Sequence, residues 1–129
     1  MPYVPYKKGT LLIPTGGTKH LFAIITDACP EGKHLLVNVS KISPVRRHDP
    51  TCVFAAGAHP FIKQPSFAYF QMAQIQKAAR LSKMVDLCEY SDHRDISDEL
   101  LAQMRAGIDR SDYTPRYIIN YFAGLPVGT

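Results

Sequence analysis

No C-x-x-C pair, no bilayer-length apolar run and no established catalytic signature occurs in this chain of 129 residues. Each absence removes a class of protein. Cys29, Cys52 and Cys88 are odd in number and widely spaced. They fit neither a disulfide framework nor a zinc knuckle, and read as buried or half-buried thiols in a reducing cytoplasm. Apolar runs such as Leu21 to Ile25 fall far short of the roughly 20 residues that cross a bilayer as a helix, so no membrane partner is expected. The opening Met-Pro-Tyr-Val-Pro-Tyr-Lys-Lys lacks an apolar centre and a cleavage pattern, and does not read as a signal peptide. There is no G-x-S-x-G elbow, Walker loop, H-E-x-x-H pair or dinucleotide fingerprint, and no metal or cofactor is expected. Internal repeats and low-complexity stretches are also missing.

What is present suits one domain over residues 1–129, a length that can bury a real core without disulfides. The chain is 46% hydrophobic and 20% charged, both ordinary for a globular protein. Fifteen Lys and Arg against eleven Asp and Glu give a net charge of +4. That mild basic bias permits an anionic partner without requiring one. The five histidines are each a candidate proton-exchanging group near neutrality.

Residues 7–71 read as short strands divided by turns. Gly9 to Ile13 stops at Pro14, Thr15-Gly16-Gly17-Thr18 turns, and Leu21 to Thr26 is the most apolar strand. His34 to Ser40 and Thr51 to Phe54 follow, with Ser66 to Phe70 as a candidate last strand. Strands joined by turns without intervening helices imply antiparallel pairing and a small barrel or sandwich. The period changes over 72–110. Met72, Ile75, Ala79 and Leu81 fall loosely on one helical stripe, leaving strand and helix both open there. Ser97 to Ile108 is a clear helix, with Ser97 as N-cap, Asp98 and Glu99 in the first turn, and Leu100, Leu101, Met104 and Ile108 at helical spacing. The aromatic tail, 113–129, is expected to dock on the body or on a second subunit.

Polar residues gather at strand ends and loops, where function tends to sit. Lys19-His20 follows the glycine turn, and Ser40 to Ser43 ends the next strand. If those two strands pair, the corners approach one another, and His59, Ser66 and Tyr69 can line the same mouth. Cleavage of RNA by its own 2′-OH needs a base, an acid and a cation for the transition state. His20 and His59 would exchange protons, Lys19, Arg46 and Arg47 would supply charge, and Ser40 or Ser43 would bond phosphate. Bland readings stand beside these. His20 and His59 are equally read as structural histidines, Arg46-Arg47 as a solvated loop, and Ser66 as a turn residue. His34, His48 and His93 read as incidental.

The order of elements resembles the MazF/PemK-like toxins over roughly residues 7 to 108. Lys8-Gly9-Thr10-Leu11-Leu12 looks like the family's opening strand, Lys19 to Ile25 its second, and Leu35 to Ser40 its third. Ser66 through Arg80-Leu81 resembles the later segment before the closing helix. The resemblance implies a mainly β, α+β fold: a small SH3-like antiparallel barrel with a C-terminal helix. It further implies a homodimeric endoribonuclease neutralised by a cognate antitoxin. The family's Arg-Pro at the second strand is replaced by Lys19-His20, and its Thr-Ser pair by Ser40-Lys41-Ile42-Ser43. Lysine is a poorer bidentate phosphate clamp than arginine. Two functions therefore stand: a metal-independent ribonuclease with His20, His59, Lys19 and Ser40 catalytic and Tyr69 stacking a base or donating to phosphate, or the same barrel as a non-catalytic nucleic-acid or protein binding module. A third is an assembly protein joined through its aromatic tail.

Overall fold

Gly16 at φ +59° and Gly17 at φ +90° reverse the chain between strands β1 (Thr10–Thr15) and β2 (Thr18–Ile24). Two consecutive positive φ values make the hairpin turn whose twist suits the flanking strands. The computed structural model describes residues 2–129. After β2 come β3 (Lys33–Lys41), β4 (Val53–Phe54) and β5 (Ser66–Lys77), then helix α1 (Ala78–Asp86), strand β6 (Ser91–His93), and helices α2 (Asp98–Arg110) and α3 (Arg116–Ala123). The strands form one sheet in the order β4-β5-β3-β2-β1-β6, every pair antiparallel. The class is mainly β α+β, as expected. The sheet is open, however, not closed into a barrel. Its edges are β4, with two residues, and β6, with three, and no ladder joins them. Among the described residues no helix is long and apolar enough to cross a membrane.

The sheet is buried on both faces at its middle. On one face Leu21, Ala23, Leu35, Val37, Ala68 and Phe70 pack with Met104 and Ile108 of α2 and Ile118 of α3. On the other, Leu11, Ile13, Phe22, Ile24 and Leu36 pack with Leu81 of α1 and with Tyr90. Burial of both faces explains why β2 and β3 read as continuous apolar runs and lack strict alternation.

Several boundaries differ from the sequence reading. Residues 72–77 are not helical, because β5 runs on to Lys77, pairing Gln74 with Leu36 and Lys77 with Lys33 across a bulge. The long β3 offers hydrogen-bonding groups that outweigh the weak helical stripe. The helical part thus begins at Ala78, and β6 interrupts it. β1 continues through Pro14 because β6 pairs only with Thr10 to Leu12, so at Pro14 no neighbour requires its missing N–H. Cys29 and Cys52 are buried, but Cys88 is exposed, since it closes α1 at φ +61°.

Helix α2 begins as its sequence predicts, with the Leu100 N–H donating to the Ser97 hydroxyl at 3.1 Å. The tail folds as α3 and docks on the body. Ile118 is fully buried, the Tyr121 hydroxyl donates to the Lys33 carbonyl at 3.2 Å, and the Arg105 guanidinium lies 5.0 Å from the Phe122 ring centre.

Gly107 sets the distance between α2 and the sheet. A Cβ there would lie 2.3 Å from Phe70 Cζ and 2.9 Å from Cys52 Sγ. Gly107→Ala gains about 1 kcal/mol of helix propensity, but overpacking costs about 1–3 kcal/mol, and this overlap is severe. A net loss of stability is expected, read as a lower urea midpoint at unchanged m-value. A raised midpoint would show that α2 can shift outward without cost.

Candidate anion-binding cleft

The register of β2 on β3 pairs Leu21 with Val39, so His20, one step before, comes beside Ser40, one step after. On the next strand Ser40 pairs with Phe67 and Asn38 with Tyr69. Strand alternation therefore puts His20, Ser40, Phe67 and Tyr69 on one face, and Lys19, Lys41 and Ser66 on the other. A cleft of about 680 Å³ at this end of the sheet is lined by residues of both sets. Its remaining walls are the loop after β3, with Ser43, Arg46, Arg47 and His48, and the loop before β5, with Phe61, Ile62 and Lys63.

The charge of this cleft is one-sided. Lys19, Lys41, Arg46, Arg47 and Lys63 line it, and among the described residues no Asp or Glu does. All five are exposed. The two ion pairs among the described residues, Lys7–Asp27 at 3.3 Å and Lys8–Asp98 at 2.6 Å, lie elsewhere. Five uncompensated cations in one concavity create a positive potential that draws anions. The loop bearing Arg46 and Arg47 is anchored at its end. Buried Asp49 accepts from the Thr51 N–H at 3.0 Å, from the Thr51 hydroxyl at 2.6 Å, and from the Ser111 hydroxyl just after α2.

Around these cations the polar groups differ in readiness. His20 is half-buried, and its Nδ1 bonds the Thr15 hydroxyl across the hairpin end. Its Nε2 has no protein partner among the described residues, so the ring is oriented at one nitrogen and open at the other. The Ser40 hydroxyl donates to Asn38 Oδ1 at 2.6 Å, leaving its oxygen as an acceptor. To donate to phosphate it must rotate away from Asn38. The Ser43 oxygen accepts from the Val45 N–H at 3.2 Å and shapes the loop. Ser66 is 3% exposed and donates to the Gln64 carbonyl at 2.9 Å, so its hydroxyl holds a turn.

His59 does not join the mouth. It is 2% exposed and lies outside the cleft lining. Its Nδ1 accepts from the Phe61 N–H at 3.0 Å and its Nε2 meets the Arg94 carbonyl at 2.6 Å. Only the neutral ring with a proton on Nε2 satisfies both partners. Burial lowers its pKa below the ordinary 6.5, the bond to the Arg94 carbonyl opposing this in part and the nearby charges of His93 and Arg94 adding to it. His59 is therefore a structural clamp between the cleft's Phe61–Lys63 wall and β6.

Because the folded state resists protonating His59, its contribution to stability is complete above pH 6.5 and is lost as pH falls below it. The expected result is a urea midpoint that drops between pH 7.5 and pH 5.5 in the wild-type protein, with a shallower drop in His59→Gln. Identical pH slopes in the two proteins would remove the clamp from the account.

The lining residues that went unassigned in the sequence include Lys41, His48, Phe61, Lys63 and Phe67. Lys63 lies between Pro60 and Pro65, the same loop signature that drew attention to Arg46-Arg47, and that signal sufficed to find it. His48 carried none, since its place depends on its ring packing on Phe67, centres 5.3 Å apart. Comparison with known proteins assigns no relative, since neither a protein-family profile nor a curated protein matches the chain.

Proposed function

We propose that this protein binds RNA in the cationic cleft and cleaves it as a metal-independent endoribonuclease. The observation that carries this reading is the set of five cations without a carboxylate, beside an imidazole open at Nε2. Carboxylates are the side chains with which proteins usually hold Mg²⁺, so this cleft's own means of acting on a phosphodiester are cations and imidazole. His20 takes the 2′-OH proton, the 2′-oxygen attacks phosphorus, and the bond to the 5′-oxygen breaks. The cations stabilise the charge gathering on the phosphoryl oxygens. The 5′-oxygen leaves as an alcohol by taking a proton from solvent, and the other product is a 2′,3′-cyclic phosphate.

On the same reading the open sheet is a divergent, incompletely closed SH3-like barrel of the MazF/PemK-like kind. Such a protein would act in the cytoplasm as a homodimer, without a cofactor, under a cognate antitoxin. The supports are the order β1, β2, β3 and β5 and the meeting of His20 with Ser40. A second reading, RNA binding without cleavage, is favoured by the withdrawal of His59 from the cleft and by Lys19 where the family has arginine.

Incubation of the purified protein with RNA in EDTA separates the two. Fragments ending in 2′,3′-cyclic phosphate and 5′-OH are the expected result. Uncut RNA retarded in a gel, less so as salt rises, would establish the binding module. RNA neither cut nor retarded at low salt would overturn both.

A further inference from the structure

Phe67 lies between two other rings at the cleft. Its centre is 5.3 Å from that of His48, with planes at 43°, and 5.1 Å from that of Tyr69, with planes at 44°. Both spacings fall in the range of favourable aromatic pairs. Phe67 itself is 6% exposed, whereas His48 and Tyr69 are half-buried and line the cleft with it. The register holds the ladder in place, since Phe67 stands opposite Ser40 and Tyr69 opposite Asn38. Phosphate recognition needs none of these rings, because cations and hydroxyls suffice. An aromatic surface held rigid inside a cationic cleft is the combination that receives a base and its phosphate together.

We propose that Tyr69, backed by Phe67 and His48, forms a seat on which one unpaired nucleobase stacks while Lys19, Lys41 and the two arginines hold the adjoining phosphates. The seat deepens the RNA reading above and rests on it. Packing against Phe67 fixes the plane of Tyr69 before binding, so little side-chain freedom is lost when the base arrives. His48, which reads as incidental in the sequence, closes the far end of the ladder. Stacking tolerates every base, since each presents a π face. The seat therefore demands a base and selects weakly among the four.

The test is fluorescence anisotropy with a labelled 2′-O-methyl pentanucleotide, which lacks the attacking hydroxyl, and with its abasic counterpart of equal charge. The wild-type protein is expected to bind the base-bearing strand about ten-fold more tightly than the abasic one. Tyr69→Leu should lose that ten-fold and leave abasic binding unchanged, while Tyr69→Phe keeps it. Equal binding of both strands by the wild-type protein overturns the seat and leaves the cationic cleft standing. So does a Tyr69→Leu loss equal on both strands. Binding of neither strand at low salt overturns the RNA reading and the seat with it. The wild-type comparison decides even if Tyr69→Leu fails to fold.

Discussion

His20→Ala is expected to slow RNA cleavage by about 10²- to 10⁴-fold, the usual worth of a positioned proton-transfer group, while RNA affinity stays within a few-fold. The separation follows from the cleft's construction. His20 is the imidazole oriented by Thr15 and open at Nε2, but it is only one contributor to a surface that carries five cations. Losing its side chain removes the base and leaves the electrostatic grip. Stability should hardly change, because His20 is half-buried and its removal strips one bond from the half-exposed Thr15. The measurement is single-turnover cleavage with enzyme in excess, alongside anisotropy with a 2′-O-methyl strand. Equal cleavage rates in wild type and variant would take proton transfer away from His20. Thr15→Val adds a finer check, since it frees the ring without deleting it and should cost less than the alanine change.

Reversing Lys41, Arg46 and Arg47 to glutamate together should weaken RNA binding at least about 100-fold at low salt and flatten its salt dependence. Each lost phosphate contact lowers the slope of log K against log salt by about 0.7 on a single strand. Losing three such contacts therefore lowers it by about 2. The triple reversal takes the net charge from +4 to −2, so long-range attraction changes sign as well. The fold should tolerate the change. All three side chains are exposed, and none takes part in an ion pair among the described residues. Reversing Lys7, whose partners are Asp27 and the carbonyls of Gly128 and Thr129, is the control that alters charge away from the cleft. The Lys7 reversal changes the net charge by −2 against −6 for the triple. A loss of log affinity one third as large would therefore show that affinity follows overall charge and that the cleft has no special part in it.

How much of this site was legible beforehand differs from residue to residue. His20 and Ser40 stood out because one precedes and the other ends an apolar run, and a strand end is where a side chain leaves the core. Their meeting needed only the pairing of β2 with β3, which turns without helices already implied. Tyr69 was legible by its place on the next strand. His59 had the same outward signs, a glycine before it and a proline after, yet its ring is buried. What withdrew it was the Arg94 carbonyl, 35 residues further on, and no local pattern announces a partner at that distance. His48 shows the reverse error. The two residues before it, Arg46 and Arg47, are charged and exposed, and its role is set by a ring on β5.

The sequence by itself determined the hairpin at Gly16-Gly17, the apolar strands β2 and β3, and the start of α2 at Ser97. In each, the deciding forces act within a few residues: the φ freedom of glycine, the run of side chains that must leave water, and a hydroxyl three residues from an N–H. Only the tertiary structure decided that 72–77 extends β5, that the sheet stays open, that α3 folds back on the body, and that scattered basic residues face one another without a carboxylate between them. Those outcomes depend on hydrogen-bonding edges, buried faces and charges contributed by distant segments, and such contacts come together only once the whole chain has folded. A net charge of +4 was readable from the start. Its concentration in one cleft was not.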